Sequence, residues 1–158
     1  MNHIKQMLML VLFIITFSVS AESKLTTESV TQMLNEIQKS VLAQDAEKFA
    51  AFFTDDAKIN IEMPANMGGD MNLDKPKYIN MLKLGWAVKD VEYTYEVKNI
   101  EIKISANGKS ATVKDLTFET IKMGGKIIAS SKSEETLNVI VSEGVPKVKN
   151  LHGKVTFL

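Results

Sequence analysis

The sequence of 158 residues predicts an α+β fold in which a strongly curved antiparallel sheet wraps around an N-terminal helical layer. Between residues 26 and 86, apolar residues recur at helical spacing in three segments, with one short alternating segment before the third. After Val88, apolar and polar residues alternate, and slips in the alternation indicate bends. A sheet bent in this way has a concave side, so the sequence also predicts a cavity.

The first 21 residues have the pattern of a secretory signal peptide. Lys5 lies near the start, an apolar run covers residues 7–17, and small residues lead to Ala21. The apolar run is shorter than the roughly 20 residues that a membrane-spanning helix needs. We therefore expect cleavage after Ala21 and export to the periplasm or the medium. The mature protein is then one domain, residues 22–158, with no membrane attachment.

Two helices are predicted at the start of the mature chain. Apolar residues recur at helical spacing from Val30 to Leu42, and Thr26 or Thr27 can cap this helix. Asp45 can cap a second, shorter helix. Its apolar face is formed by Phe49, Phe52 and Phe53.

A strand, a loop and a third helix follow. Residues 58–62 alternate like a strand, and residues 63–73 read as a loop with a Gly-Gly pair. Asp74 can cap the third helix, whose first turn tolerates Pro76. The apolar side of this helix carries Ile79, Leu82 and Trp86.

Four long strands complete the chain. In the first, Tyr93 and Tyr95 share an apolar face, and the apolar phase then changes near Lys98, which predicts a β-bulge. The second strand, residues 111–123, shows similar phase breaks, one of them between Val113 and Leu116. Gly-Gly at 124–125 predicts a hairpin turn. The last two strands are predicted at 126–141 and 147–158.

Charge and residue usage exclude several classes of function. Nineteen Lys and Arg residues balance nineteen Asp and Glu residues, which argues against a polybasic nucleic-acid binder. All nineteen basic residues are lysine, so no mechanism can use a guanidinium group. Cysteine is absent, which excludes disulfides, thiolate zinc sites and cysteine nucleophiles.

Residues 40–57, SVLAQDAEKFAAFFTDDA, resemble the opening of the nuclear transport factor 2-like superfamily. In that superfamily a long helix ends, a short acid-capped helix follows, and a corner of Phe, one residue, Asp, Asp and Ala leads into the first strand. The resemblance covers residues 26–158. It implies a cystatin-like cone with a cavity and, as often in the superfamily, a homodimer formed through the outer face of the sheet. We interpret Asp55 and Asp56 as makers of turn and cap hydrogen bonds.

The superfamily includes isomerases, dehydratases, epoxide hydrolases, cyclases and members with no known reaction. An epoxide hydrolase would use an Asp-Arg-Asp arrangement, which a chain without arginine lacks. A dehydratase with paired histidines is excluded because the mature chain keeps only His152. A ketosteroid-isomerase-like site would need an acidic base beside a tyrosine and a protonated acid.

The groups available for such a site are Tyr93, Tyr95, Asp115 and Glu62. Asp115 is the best acid because it lies inside a strand at an expected bulge that could direct it inward. The alternative is an outward aspartate paired with a lysine such as Lys114. For the two tyrosines the alternative is a place in the core with a satisfied hydroxyl.

We therefore predict a domain that binds a small, largely apolar molecule, with no cofactor and no assignable catalytic set. The predicted walls are Trp86, Tyr93, Tyr95 and Phe118, with Asp115 as a polar anchor. One alternative is a cofactor-free lyase or isomerase, of ketosteroid-isomerase or polyketide-cyclase type, that uses Asp115 as acid or base. The other is a structural or interaction module that forms a dimer.

Three methionines lie four residues apart in the predicted loop, at Met63, Met67 and Met71. Thioether groups suit Cu(I), which an exported protein could meet. We expect no metal here, because a loop with two glycines provides no fixed geometry. We interpret the three side chains as an adaptable apolar lid over the cavity.

Overall fold

A computed structural model describes residues 24–158, and the predicted signal peptide at 1–21 lies outside them. The described residues form three helices and one sheet of six strands, in the predicted α+β order. The helices are α1 (Thr27–Leu42), α2 (Ala46–Ala50) and α3 (Lys75–Trp86). The strands are β1 (Phe53–Glu62), β2 (Met71–Asp74), β3 (Val91–Ile104), β4 (Ser110–Met123), β5 (Lys126–Ser142) and β6 (Val145–Phe157).

Side-chain caps begin all three helices at the predicted residues. Thr26 accepts a hydrogen bond of 3.1 Å from the backbone N–H of Ser29, whose hydroxyl accepts one of 3.0 Å from the backbone N–H of Thr26. Asp45 and Asp74 each accept a 2.9 Å hydrogen bond from the backbone N–H three residues further on. These local bonds satisfy backbone groups that a helix start otherwise leaves free.

The strands lie in the order β2-β1-β6-β5-β4-β3. Neighbours are antiparallel except β1 and β6, which are parallel. The register between β3 and β4 shifts between Lys98 and Glu101, and Asn99 adopts a φ of 53° there. This irregularity confirms the bulge predicted from the change of apolar phase. It contributes to the bend of a sheet that curves around the helices.

The segment predicted as a loop at 63–73 is only partly a loop. A short 3-10 turn occupies Ala65–Met67, and Met71–Asp74 forms β2, which pairs with the end of β1. The predicted second helix also ends earlier, at Ala50, and Phe53 begins β1. Both differences arise because strand pairing supplies backbone hydrogen bonds that local sequence patterns do not reveal.

Asp55 and Asp56 make side-chain contacts other than the predicted turn and cap bonds. Both are exposed on β1. Asp55 lies 3.0 Å from the ammonium of Lys75, and Asp56 pairs with Lys149 and accepts a 2.9 Å hydrogen bond from Thr54. The two carboxylates thus link β1 to α3 and β6 at the surface.

The hydrophobic core lies between the helices and the inner face of the sheet. Its most buried side chains are Val30, Ile59, Val113, Val139 and Val148. An aromatic group from α2, β1 and α3 adjoins it, with ring centroids 5.0 Å apart for Phe49 and Phe53 and 6.1 Å apart for Phe49 and Trp86. Among residues 24–158, none of the helices is long and apolar enough to cross a membrane.

Candidate functional site

A cavity remains between the helices and the concave face of the sheet. Its deep part measures about 80 Å³ and lies beneath α1 and α3. An outer part of about 410 Å³ adjoins it on the side of β2 and the β4–β5 hairpin. Both parts are bordered by Tyr78, Leu82, Tyr93, Glu119, Glu135 and Leu151. The space available therefore exceeds the roughly 10–15 Å³ that a single water molecule needs.

Aromatic and aliphatic side chains form most of the cavity wall. From the helices come Phe49, Tyr78 and Trp86, and from β3 come Tyr93 and Tyr95. The Phe49 ring contacts Tyr78 and Trp86 edge to face, with centroids 5.9 Å and 6.1 Å away. These packed rings hold the wall in place, so the cavity is a preformed feature of the fold.

Three carboxyl groups line the sheet side of this cavity. Asp115 and Glu119 lie on β4, and Glu135 lies on β5 directly opposite Asp115 in the strand register. Asp115 is only 8% exposed. Because side chains alternate along a strand, Asp115, Thr117 and Glu119 all face the same side.

Hydroxyl groups accompany each carboxyl group. The Thr117 hydroxyl lies 3.5 Å from a carboxylate oxygen of Asp115. Thr117 and Ser133 also hydrogen-bond to Glu135, and the hydroxyl of Tyr93 hydrogen-bonds to Glu119. The polar groups of the cavity thus form a connected patch on the sheet, facing apolar groups from the helices.

Burial raises the pKa of all three carboxyl groups. It raises the pKa of Asp115 from an ordinary 3.8 to about 6, against a smaller opposing effect of the Thr117 hydrogen bond. It is also the main cause that raises the pKa of Glu135 from 4.5 to about 8, and the nearby charges of Asp115 and Glu119 add to it. The pKa of Glu119 is raised by burial as well.

Basic side chains do not balance these carboxyl groups. No lysine or histidine borders either part of the cavity among the residues that the structure describes. Burial also raises the pKa of Tyr78, Tyr93 and Tyr95, which therefore remain hydrogen-bond donors at neutral pH. From Lys24 to the C-terminal Leu158, the structure contains no group of three His, Asp or Glu side chains placed to hold a metal ion.

Four of the five predicted pocket residues border the deep part of the cavity: Trp86, Tyr93, Tyr95 and Asp115. The alternative of an outward Asp115 paired with lysine is wrong, because its side chain is buried in the cavity wall. The prediction that the fifth residue, Phe118, lines the cavity is wrong. Phe118 pairs with Glu96 across the ladder on the outer face, where the ammonium of Lys98 lies 5.1 Å from its ring centroid.

The remaining candidates lie further out. Met63 and Met71 border the outer part of the cavity, whereas Met67 is 47% exposed and does not border it. Glu62 and His152 lie outside the cavity, with 3.3 Å between the His152 Nε2 and a carboxylate oxygen of Glu62. The three methionines therefore do not line the cavity as one set, and the only histidine among the described residues borders neither part of the cavity.

Sequence reasoning missed Tyr78, Glu119 and Glu135. The phase break between Val113 and Leu116 predicts a bulge, but β4 pairs with β5 without a shift from Ser110 to Ile121. Its inner face is polar from Asp115 to Glu119. Every second residue of a strand lies on the same face. Alternation from Val113 therefore places Asp115 and Glu119 on the inner face, and alternation from Leu137 places Glu135 there.

Comparisons with known proteins show the fold. No protein-family model matches the chain, and no curated protein matches it. A candidate scytalone dehydratase from Novosphingobium aromaticivorans superposes with a TM-score of 0.65 at 16% identity, over 82% of this chain and 83% of that one. An NTF2-like protein of unknown function from Pseudomonas putida gives a TM-score of 0.66 at 14% identity, over 87% of each chain.

The beta subunit of benzoate 1,2-dioxygenase from Burkholderia mallei gives a TM-score of 0.69 at 12% identity, over 85% of this chain and 93% of that one. The chain therefore has the nuclear transport factor 2-like, cystatin-like fold that the sequence predicts. At these identities the likeness concerns architecture, so the chemistry has to be argued from the cavity itself.

Because buried carboxyl groups have raised pKa values, we expect the free energy of unfolding to fall as pH rises. Because the pKa of Glu135 is higher in the folded chain than in the unfolded chain, the folded state binds the proton more tightly. Its contribution to stability is complete below pH 4.5 and is lost as pH rises through about 8. Urea unfolding from pH 5 to 9 should show this decline, and Glu135→Gln should remove much of it. Glu134→Gln, on an exposed neighbour, is the control, and an unchanged slope in Glu135→Gln would contradict the assignment.

Proposed function

We propose that this protein is an exported domain that binds a small, largely apolar molecule in the cavity between its helices and its sheet. The observation that carries the proposal is the cavity itself, which has aromatic walls and a few convergent polar groups. Proteins of the same fold are described as a candidate scytalone dehydratase and a dioxygenase subunit, names that refer to small-molecule chemistry.

The interior supports binding because the aromatic rings do not fill it. Trp86, Tyr93 and Tyr95 border an open space of about 80 Å³ rather than packing into one another. A well-packed core leaves few voids larger than a water molecule. Together with the outer part, of about 410 Å³, this space reaches the roughly 300–1,000 Å³ of small-molecule sites, and it has polar groups on one side.

A compound that enters the cavity should raise the melting temperature of the protein. At 100 times its Kd, a ligand that binds only the folded state adds about 2.7 kcal/mol of stability. A thermal-shift screen of several hundred metabolites should therefore give hits. For a hit, Trp86→Ala should weaken binding by about tenfold or more. Leu84→Ala, on an exposed residue of the same helix, should not.

If no compound in the screen raises the melting temperature, the cavity is not a ligand site for that chemistry. The result would favour the alternative of a structural or interaction module. We propose a homodimer in either case, formed through the outer face of β3–β6. The half-buried Leu116 and Phe118 lie on that face.

A second function, a cofactor-free lyase or isomerase, is favoured by the pair Asp115 and Glu135. With pKa values of about 6 and about 8, one carboxyl group is mostly ionised at neutral pH while the other is mostly protonated. The Asp115 carboxylate could remove a proton from a carbon next to a carbonyl group. The protonated Glu135 and a tyrosine hydroxyl could donate hydrogen bonds to the resulting enolate oxygen. Return of the proton to another carbon completes an isomerisation, and loss of a leaving group completes an elimination.

Proton abstraction of this kind would exchange carbon-bound hydrogen with solvent. In D₂O, the protein should introduce deuterium next to the carbonyl group of some member of a panel of cyclic and aromatic ketones, as followed by NMR. Asp115→Asn should reduce the rate by about 100-fold or more, whereas Lys114→Gln, on the exposed neighbour, should leave it unchanged. Exchange that continues in Asp115→Asn would remove this function.

Export is the part of the proposal that residues 1–21 support. The mature protein recovered from the exported fraction should have Glu22 as its first residue, because cleavage is predicted after the small residue Ala21. Mass spectrometry of the intact protein measures this directly. Recovery of the full 158-residue chain from the cytosol would contradict export.

A further inference from the structure

We propose that the molecule bound in this cavity is an organic cation, a protonated amine attached to an apolar body. This inference rests on the proposed binding function and names the chemical class of the ligand. Three features of the cavity carry it: the charge of its lining, the aromatic rings beside that charge, and one hydroxyl group that has no partner.

The lining is acidic and has no internal counterion. Asp115, Glu119 and Glu135 border the deep part of the cavity, and every other side chain that the structure describes there is uncharged. A buried carboxylate without a cation beside it is costly. A ligand that supplies one positive charge would remove this cost, whereas an anionic ligand would increase it.

The rings beside the carboxyl groups suit the same ligand. Tyr78, Trp86 and Tyr95 border the deep part together with the acidic groups. The face of an aromatic ring attracts a cation, and the attraction is stronger where water is excluded. A neutral molecule of the same shape would gain only the apolar contact.

The hydroxyl of Tyr78 is the independent observation. Its ring packs edge to face with Phe49 and Phe53, but the hydroxyl has no hydrogen-bond partner among residues 24–158. Every fully buried side-chain polar atom among residues 24–158 has a hydrogen-bond partner. Because the Tyr78 hydroxyl has none, it is not fully buried and borders the open space of the cavity. Its oxygen is available to accept a hydrogen bond from an ammonium N–H.

The two parts of the cavity match a charged head and an apolar body. The deep part, of about 80 Å³, is bordered by the carboxyl groups and has room for a small ammonium group. The outer part, of about 410 Å³, is bordered by Met63, Met71, Met81 and Ile121. Flexible thioether side chains adapt to apolar bodies of different shape. An aromatic or short alkyl amine therefore fits the cavity better than a bare metal cation.

Matched ligands of equal size and different charge test the inference. Benzylamine, benzyl alcohol and benzoate share one apolar body, and hexylamine, hexanol and hexanoate form a second set. Titration calorimetry on the mature protein at pH 7.5 should give at least about tenfold tighter binding of each amine than of its alcohol. Each carboxylate should bind most weakly. Amine affinity should also rise between pH 6 and pH 8, while alcohol affinity should not.

Variants separate the carboxyl groups from the rest of the cavity. Asp115→Asn and Glu135→Gln should each reduce the ratio of amine to alcohol affinity by about threefold or more, and the triple variant that adds Glu119→Gln should remove most of the amine preference. Glu134→Gln, on the exposed face of the same strand, should keep the ratio. If a variant does not fold, the pH dependence of amine binding to the unaltered protein decides the question.

The outcomes distinguish this inference from the function on which it rests. An alcohol or carboxylate that binds as tightly as its amine overturns the inference and leaves the binding function in place. An amine preference that survives unchanged in the triple variant also overturns it, because the carboxyl groups then do not select the ligand. If no member of either set binds, the inference fails, and a metabolite screen without hits would remove the binding function too.

Discussion

The structure depends on how the concave face of a bent sheet is covered. The helices cover this face only in part, because α1 and α3 pack over its ends and edges while the middle of β4 and β5 stays beneath open space. The bulge at Asn99 contributes to this shape, since an extra residue bends the long strand that borders the cavity. A flatter sheet would allow the helices to pack directly on the strands and leave no cavity.

The same arrangement explains why acidic residues can occupy the inner face. A carboxyl group packed against a helix would be desolvated with no compensation, which is costly. Beside a cavity, Asp115 and Glu135 have raised pKa values and face a space that a ligand or water can occupy. Asp115 is hydrogen-bonded to Thr117, and Glu135 is hydrogen-bonded to Thr117 and Ser133. Buried carboxyl groups at these positions cost the fold some stability, as is common where a site does not follow the rules of core packing. Ligand binding and acid–base chemistry would both use the carboxyl groups of Asp115 and Glu135.

The helix starts and the bulge were predictable because their signals are local. Thr26, Asp45 and Asp74 each bind a backbone N–H three residues away, and a change of apolar phase at Lys98 marks the bulge within one strand. Trp86, Tyr93 and Tyr95 were predictable as cavity walls because they lie on apolar faces. Apolar character predicts the inner face, so the pattern places Phe118 on the wrong face and gives no signal for Glu119 and Glu135. Between Asp115 and Glu119 the inner face of β4 is polar, and the outer face carries the ring of Phe118.

Local patterns in the sequence are enough to predict the α+β order, the helix caps and the bent strand, and residue usage excludes arginine and cysteine chemistry. The sequence also predicts export through residues 1–21. Which face of β4 and β5 lines the cavity depends on packing between distant segments. The same packing places Asp115 opposite Glu135, in a cavity that no basic residue of the described chain borders. The physical reason is that alternation assigns residues to two faces without saying which face is covered. Packing of the distant helices α1 and α3 against the sheet makes that choice.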